Sequence, residues 1–385
     1  MLEDGCEAGR EATGEQRAVR REVGGDTLAE LRVGLIGFGY AGQTFHAPLI
    51  RATDGLRLVA VASGEPAKVR SALGPDIDVL SPAGLIARSD IDLVVVATPN
   101  DTHRSLAVAA LAAGHHVVVD KPFALNVAEA RDMIAAAGRA ARVLSVFHNR
   151  RWDGGFLTLR RMLRERRVGR PVEFVAHFDR FRPQVLERWR ESGRPGAGLW
   201  MDLGPHLVDH AIQLFGPPSA IQLDTAMLRD GALSDDWFSA TLRWGEGPDS
   251  KLIARLHAST VAARPGPHLT LHGTEGSFEV EALDPQEEAL KAAAGSQALR
   301  SPTWGHDDRA GTLMRPGVRA AQAVSVPLEN GSYPRYYAEL RDALNGRGAN
   351  PVPLGEAKAV QQVLDAGRAS ASERREILVT ALPLL

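Results

Sequence analysis

Residues 31–42 read LRVGLIGFGYAG, a short apolar run that ends in a glycine-rich turn. Leu31–Ile36 has the continuous hydrophobicity of a strand that is buried on both faces, as strands in parallel sheets are. The next six residues match G-x-G-x-x-G, and a helix-compatible segment follows them. In this context Gly37 permits the tight turn, Gly39 lets the backbone approach a pyrophosphate, and Gly42 lets helix and strand pack closely. The stretch predicts a dinucleotide-binding βαβ unit; the alternative is a glycine-rich turn without a ligand.

The pattern of strand and helix continues to residue 150. Further apolar runs that predict strands occupy residues 57–63, 92–98, 143–147 and His116–Val119, and predicted helices occupy residues 106–113 and Val127–Ala140. Strands that alternate with helices are typical of a doubly wound parallel sheet. We therefore predict an α/β Rossmann domain over residues 31–150.

The pattern changes in residues 151–385, for which we predict a second domain of the α+β class. Predicted strands follow one another at 172–178, 237–244, 251–259 and 268–280, the last interrupted by the turn Gly273-Thr274-Glu275-Gly276, which indicates a mostly antiparallel sheet. Predicted helices occupy residues 156–166, 285–294, 333–345 and 355–371, and the rest of 283–327 is predicted to be loop.

Composition limits the possible partners and compartments. The 385 residues carry 45 Lys and Arg against 47 Asp and Glu, a balance that argues against nucleic acid or an anionic membrane as a partner. Cys6 is the single cysteine, so an internal disulfide and a cysteine-based zinc site are excluded, and we expect a cytoplasmic protein. Residues 1–30 are charged and poor in large apolar side chains, and we expect a disordered tail there.

The end of the second strand bears on the choice between NAD and NADP. An acid at that position hydrogen-bonds the ribose 2′-hydroxyl of NAD, but this chain has Ser63-Gly64-Glu65. A serine can donate to the 2′-phosphate of NADP, and Lys68 adds positive charge one turn later. Glu65 favours NAD if it folds back. The residues favour NADP, with NAD as the alternative.

Lys121 lies in Val119-Asp120-Lys121-Pro122, at the carboxyl end of a predicted parallel strand. Ligands of open α/β sheets bind at that edge, so a lysine there could polarise a carbonyl or move a proton. Pro122 would fix the backbone, and the bond before it is a candidate for the cis form. A surface lysine that caps the strand is the alternative.

Asp202 and His206 are four residues apart, which places both side chains on one face of a helix. An Asp–His pair orients the imidazole and stabilises its protonated form, as general acid–base chemistry requires. Asp202, His206 and His210 also have a spacing that would suit metal ligands, but no further cluster supports a metal, and we predict none. A capping aspartate with a half-buried histidine is the remaining alternative.

Together these segments resemble the glucose–fructose oxidoreductase/inositol dehydrogenase/rhizopine catabolism family. The markers are the fingerprint at 37–42, Phe45-His46-Ala47-Pro48, Ala97-Thr98-Pro99-Asn100, Asp120-Lys121-Pro122 and Asp202-x-x-x-His206. The family usually has glutamate where this chain has Asp120. Residues 145–153, 178–183 and 188–191 resemble more closely the subgroup that contains NADP-dependent scyllo-inositol dehydrogenases, in which Ser-Arg replaces Ser63-Gly64.

The resemblance implies a nicotinamide-dependent oxidoreductase that moves a hydride to or from a secondary alcohol or ketone of a sugar or cyclic polyol. His206 would take the hydroxyl proton, Asp202 would raise its basicity, and Lys121 would stabilise charge on the oxygen. The implied substrate contacts are Asn149, Arg150, Trp152 and His206. The implied cofactor contacts are Gly37, Phe38, Gly39, Tyr40, Ala41, Gly42, Ser63, Lys68, Thr98, Pro99, Asn100, His103, Asp120 and Lys121.

The resemblance also implies that the large sheet of the second domain is open on one face and mediates self-association, as a homodimer or homotetramer. Two rival functions stay open. One is a glycoside hydrolase that keeps its NAD bound and recycles it within each turnover, and the other is a non-catalytic regulator that binds the cofactor.

Overall fold

The structure is a computed structural model that describes residues 30–245, 250–292, 297–317 and 322–379. Its first part is a six-stranded parallel sheet in the order β3-β2-β1-β4-β5-β6, as in dinucleotide-binding folds. The strands are β1 (Leu31–Ile36), β2 (Leu56–Ala62), β3 (Asp78–Leu80), β4 (Leu93–Val96), β5 (His116–Val119) and β6 (Leu144–Val146). The helices are α1 (Ala47–Ala52), α2 (Pro66–Leu73), α3 (Pro82–Ile86), α4 (His103–Ala112) and α5 (Val127–Ala140), with a π-helical turn at Gly42–His46.

The hydrophobic runs form central strands because helices cover both faces of this sheet. All four residues of β4 are fully buried, as are the last three of β5, so no polar side chain could be accommodated there. Helix α5 shows how the intervening helices are specified. Asn126 caps its N-terminus by accepting a hydrogen bond from the Glu129 amide, and Ala130, Met133 and Ala137 form its buried stripe.

The second part is a nine-stranded sheet in the order β14-β13-β12-β11-β7-β10-β9-β8-β15. All its neighbouring strands are antiparallel except the pair β7 and β10. Its strands are β7 (Pro171–His177), β8 (Ala220–Ala226), β9 (Trp237–Arg243), β10 (Ile253–Ser259), β11 (Leu269–Gly273), β12 (Gly276–Val280), β13 (Ala310–Arg315), β14 (Gln322–Pro327) and β15 (Ile377–Leu378). Its helices are α6 (Gly154–Arg164), α7 (Leu199–Phe215), α8 (Gln286–Ala292), α9 (Pro334–Leu344) and α10 (Leu354–Glu373).

This architecture confirms the predicted fold class of a parallel Rossmann sheet followed by a mostly antiparallel one. One face of the second sheet is covered, because Phe238, Ala240 and Leu242 of β9 are buried while Ser239 and Thr241 between them are only partly covered. Short 3-10 turns lie at Asn100–Thr102, Asn149–Trp152, Trp189–Glu191 and Ala298–Arg300. Within the described ranges, no helix combines the length and apolar character that a membrane crossing requires.

Several strands were missing from the sequence prediction. Strands β13 and β14 occupy part of the region 283–327 that was predicted to be mainly loop, and β3 and β8 were not predicted either. Strand β14 lies at the sheet edge and buries only Val326, so it lacks the alternation that identifies a strand from sequence. The expected tail, except for Glu30, lies outside the described residues.

The two parts share a core through α9, which returns from the end of the chain to the Rossmann sheet. Tyr336 and Tyr337 are fully buried there. The Tyr336 hydroxyl donates to Ser145 Oγ at 3.0 Å, and the Tyr337 hydroxyl is 2.7 Å from His46 Nδ1. Residues 31–150 therefore complete their hydrophobic core only with a helix that follows residue 330.

Candidate active site

The glycine fingerprint has the geometry of a phosphate cradle. Gly37 has a φ of +99°, and a Cβ on it would lie 2.4 Å from the Ala97 carbonyl oxygen. A Cβ on Gly42 would lie 2.2 Å from the Gly37 carbonyl oxygen, so only glycine lets the helix approach the turn. A Cβ on Gly39 would meet nothing within 4 Å. Gly39 thus presents bare backbone to open space, which fits the approach of a dinucleotide pyrophosphate.

A cavity of about 620 Å³ extends from this fingerprint to the second sheet. It is lined by the fingerprint turn, the ends of β4 and β5, the loop after β7 and the start of α7. The lining residues are Gly37, Gly39, Tyr40, Ala41, Phe45, Ala97, Thr98, Pro99, Asp120, Lys121, Phe147, Asn149, Arg150, Arg180, Arg182, Arg188, Trp189, Arg190, Asp202, Leu203, His206, Glu287 and Lys291. The cavity therefore brings together most of the residues predicted for the cofactor and for catalysis.

Lys121 is held against Asp202 across this cavity. The peptide bond between Lys121 and Pro122 is cis. The Lys121 ammonium donates to Asp202 Oδ1 at 3.0 Å and to the Asp202 carbonyl oxygen at 2.6 Å. Burial by itself would raise the pKa of Asp202, but Lys121 and Arg190 hold it well below its ordinary range. Asp202 is thus a permanent anion that fixes the position of the Lys121 ammonium.

His206 lies one turn after Asp202 on α7, and its imidazole is 6% exposed. Its Nδ1 is buried without a hydrogen-bond partner, so Nε2 is the nitrogen that can reach the cavity. Burial and then the positive charge of Lys121 and Arg150 lower its pKa well below the usual value. We expected Asp202 to orient this ring and raise its basicity. Instead, Asp202 bonds Lys121 and Arg190, and His206 is a neutral imidazole at neutral pH.

Arg150 connects the cavity wall to helix α8. Its guanidinium donates to Glu287 Oε2 at 2.7 Å, and Glu287 Oε1 accepts a 2.6 Å hydrogen bond from the Tyr40 hydroxyl. Burial opposes ionisation of Glu287, yet Arg150 and Tyr40 lower its pKa to about 2. A chain of hydrogen bonds therefore runs from the glycine fingerprint, through Glu287, to a residue that was predicted to bind substrate.

Some predicted site residues lie behind the cavity wall. Trp152 is 5% exposed, packs edge-on against Tyr336 in the core and is not among the residues that line the cavity, so its contact with substrate stays a prediction. Both ring nitrogens of His103 lie 3.0 Å from backbone carbonyl oxygens, those of Pro122 and Thr98. The Asn100 amide donates to the Gly196 carbonyl at 2.9 Å. These two side chains hold the loops that line the cavity and do not line it themselves.

Phe38 and Gly42 also lie behind the cavity wall. Phe38 is 4% exposed in the hydrophobic core, and Gly42 is buried. Ser63 directly follows β2 and Lys68 lies in α2, and neither is among the residues that line the cavity. Ser63 Oγ accepts a 3.1 Å hydrogen bond from the Glu65 amide, which leaves its own hydroxyl hydrogen available to a ligand. The Lys68 ammonium is 3.3 Å from the Glu65 carboxylate. The two opposing charges considered from sequence thus pair with each other.

The contacts of His210 are not those of a metal ligand. Its Nε2 lies 3.1 Å from the Arg150 carbonyl oxygen, and its ring stacks on Phe156 with centroids 4.0 Å apart. Within the described part of the chain, no group of three or more His, Cys, Asp or Glu could hold a metal ion.

The sequence prediction missed a group of arginines in the cavity, namely Arg180, Arg182, Arg188 and Arg190. In the sequence, their segments serve only as markers of the family resemblance. Four arginines within eleven residues were the available signal, but nothing in the sequence showed that their side chains converge on the glycine fingerprint.

Family models match most of the chain. The model described as "Oxidoreductase family, NAD-binding Rossmann fold" matches residues 31–148, and that described as "Oxidoreductase family, C-terminal alpha/beta domain" matches residues 160–379. The uncharacterized oxidoreductase YdgJ of Escherichia coli is 49% identical over 347 residues, which cover 89% of this chain and 97% of that protein.

Another relative is the scyllo-inositol 2-dehydrogenase (NADP(+)) IolW of Bacillus subtilis, 32% identical over 94% of this chain and 98% of that protein. Among solved structures, the oxidoreductase YPO2259 of Yersinia pestis aligns with a TM-score of 0.85 at 43% identity, over 92% of this chain and 98% of that chain. The chain therefore belongs to the glucose–fructose oxidoreductase/inositol dehydrogenase/rhizopine catabolism family and is an NAD(P)-dependent dehydrogenase.

Proposed function

We propose that this enzyme transfers a hydride between nicotinamide and a secondary alcohol or ketone of a sugar or cyclic polyol. The observation that carries the proposal is that Lys121, Asp202 and His206 line the same cavity as Gly37 and Gly39. A substrate hydroxyl can therefore meet an ammonium and a neutral imidazole beside the site that fits the cofactor. The similarity to the scyllo-inositol dehydrogenase named above supports the polyol class.

Each protein group has a defined task in alcohol oxidation. When bound, the nicotinamide ring supplies the capacity to accept a hydride from carbon or return it. His206 Nε2 takes the hydroxyl proton, for which a neutral imidazole is the required starting form. The Lys121 ammonium stabilises the negative charge that develops on the oxygen as the carbonyl forms. Asp202 is a positioning residue, because its contacts hold the ammonium in place.

For the cofactor we propose a modest preference for NADP, with NAD also accepted. No acid ends β2, where an NAD-selective Rossmann fold has one. The free hydroxyl hydrogen of Ser63 can be donated to a 2′-phosphate. Because Glu65 neutralises Lys68, electrostatic attraction for that phosphate is weak, and strong selectivity is not expected.

The test is a panel of inositols and neutral sugars with each oxidised cofactor, followed by nicotinamide absorbance. We expect reduced nicotinamide to accumulate with at least one cyclic polyol, and Lys121→Met to abolish most of the signal. Consumption of a glycoside without net absorbance change would support the recycling hydrolase instead. Cofactor binding without turnover of any compound in the panel would support the regulator.

A further inference from the structure

The segment after β7 is extended and held by backbone hydrogen bonds, and it carries Arg180 and Arg182 on one side. The Arg180 amide donates to the Ser259 carbonyl at 2.8 Å, and the Arg182 amide donates to that of Thr260 at 2.6 Å. Phe181 between them forms a β-bridge with Val261 and is 59% exposed. Because side chains alternate along an extended segment, Phe181 faces solvent and both arginines face the cavity.

A third arginine fixes this segment from behind. Arg229 is buried, and one of its nitrogens donates to the carbonyl oxygens of Arg182 and Gln184 at 3.2 and 3.0 Å. The Arg229 guanidinium itself is held by Asp236 at 2.9 Å. The backbone that carries Arg180 and Arg182 is therefore positioned before any ligand arrives.

The two cavity arginines differ from their neighbours in having no carboxylate partner. Arg150 pairs with Glu287, and Arg190 pairs with Asp202. Within the described residues, the side chains of Arg180 and Arg182 make no hydrogen bond or ion pair with protein. Arg180 lies 4.8 Å over the Phe178 ring, and burial lowers its pKa. A guanidinium that is partly removed from water without an anion is costly, unless a ligand provides the anion.

The charge of Arg180 acts near the reacting groups. Arg180 lines the same cavity as Asp202 and Glu287, and its charge contributes to lowering the pKa of both carboxyl groups. The cavity lining has seven cationic side chains against three carboxylates, but Arg188 and Lys291 also pair with Glu191 and Glu288 outside the lining, which leaves a formal excess of two positive charges. Arg180 and Arg182 are the two lining cations without a carboxylate partner among the described residues, so an anionic group of a ligand would supply their counter-charge.

We propose that Arg180 and Arg182 bind a carboxylate or phosphate group of the substrate, so that the preferred substrates are anionic sugars or polyols. The planar fork of a guanidinium matches either group through paired hydrogen bonds. This inference rests on the proposed function, because it names the substrate class of the same site.

Binding to the full-length enzyme tests the proposal. The probes are D-gluconate, D-glucose 6-phosphate and neutral D-glucose, titrated by calorimetry into enzyme saturated with NADPH, which cannot accept a hydride from their hydroxyl-bearing carbons. We expect at least one anionic probe to bind ten or more times tighter than glucose. The gluconate and phosphate arms identify which anion the site prefers.

Variants then assign the anion to the two side chains. Arg180→Met and Arg182→Met should each weaken binding of the preferred anion at least tenfold and leave glucose within twofold, and Arg180→Lys should restore part of the loss. The matched control is Arg335→Met, at an exposed arginine of α9 that pairs with Glu339. Equal binding of charged and neutral probes by the wild type would overturn the proposal. So would a tenfold loss of NADPH affinity in Arg180→Met without selective loss of the anion, because Arg180 would then hold the cofactor.

Failure of this inference can be told apart from failure of the proposed function. An enzyme that oxidises neutral polyols and binds no anion more tightly than glucose retains the function and refutes the anionic subsite. An enzyme that binds an anion through Arg180 but gives no net turnover retains the subsite and refutes the dehydrogenase activity on polyols.

Discussion

The two halves of the cavity are formed differently, one mainly by backbone and the other by charged side chains. The fingerprint half is made of backbone, in which Gly37 permits the close turn against Ala97 and Gly39 leaves open space that a side chain would fill. The opposite half is made of charged side chains on α7 and the loop after β7, and its positions depend on ion pairs such as that of Lys121 with Asp202. The backbone half should therefore control cofactor affinity, and the side-chain half should control turnover and substrate choice.

The largest expected effect comes from removing the reacting groups. Lys121→Met and His206→Asn should each lower turnover by about 10²–10⁴-fold, the range for positioned acid–base groups. Cofactor affinity should change far less, since neither side chain belongs to the fingerprint. The double variant should lose little more than the worse single one, because groups that act as a unit are not additive. Steady-state turnover and cofactor titration measure both quantities.

The control for these variants is Lys251→Met, at an exposed lysine outside the cavity, which should keep wild-type turnover. Near-wild-type turnover in either single variant would remove that residue from the mechanism. If both variants lost cofactor affinity as strongly as turnover, the division between the two halves would be broken.

A negative charge at the end of β2 should change cofactor choice without changing chemistry. Ser63→Asp places a carboxylate against the 2′-phosphate, which should cost about 1–3 kcal/mol, or roughly 5–150-fold in kcat/KM with NADP. Values with NAD should stay equal or improve. Kinetics with both cofactors before and after the change decide the point, and a native tenfold preference for NAD would refute our interpretation of Ser63.

Two alanine substitutions separate the stability of the fingerprint from its affinity. Gly37→Ala forces a side chain into a φ of +99° against the Ala97 carbonyl, which should destabilise the fold by about 1–3 kcal/mol. Gly39→Ala meets no atom within 4 Å and should leave the melting temperature unchanged while weakening the cofactor about tenfold or more. Calorimetric melting and cofactor titration test this pair. Unchanged cofactor affinity in Gly39→Ala would remove Gly39 from the phosphate cradle.

The pH profile should report the depressed pKa of His206. A base with an ordinary histidine pKa of 6.5 would lose half its activity at that pH. Because the pKa of His206 is lowered, kcat/KM for oxidation should stay level as pH falls from 8 to 6.5 and decline only below that. In Lys121→Met the midpoint should move up, since one neighbouring cation is gone. A wild-type midpoint at or above 6.5 would contradict the assignment.

The smallest effect is expected from deleting the N-terminal segment. Deleting residues 1–30 should leave melting temperature and turnover nearly unchanged, since this segment has no apolar pattern that could dock on a folded domain. The paired measurement is a thermal melt and a steady-state assay of full-length and shortened protein. A large loss of either property would mean that the segment packs against the enzyme or closes its site.

The features that could be predicted from sequence lie mainly in the backbone half of the cavity. The fingerprint and the parallel strands were recognisable because their causes are local: a glycine at each close approach and a strand buried on both faces. For the segment with Asp202 and His206 no helix was predicted, and only the face that the two side chains would share on a helix such as α7 was expected from spacing. The partners of Asp202 were not expected, since its contact with Lys121 joins residues 81 positions apart.

Trp152 and Arg180 show why the remaining assignments could not be made. Both were in segments marked by resemblance, yet Trp152 packs beneath Tyr336 whereas Arg180 opens into the cavity. Their orientation depends on which distant segment pairs with theirs, as when Arg180 bonds the Ser259 backbone. Amino-acid composition and hydrophobic periodicity do not indicate which distant segments pair.

The burial of α9 in the Rossmann core has a consequence for synthesis on the ribosome. Strand β6 ends at Val146, and α9 begins at Pro334, so about 190 residues separate the sheet from the helix that completes its cover. At roughly 5–20 residues per second, the nascent N-terminal half waits about 10–40 s with the Tyr336 and Tyr337 sites open. A chain truncated before α9 should therefore bind chaperones and aggregate, even though it retains every strand and glycine of the nucleotide fold.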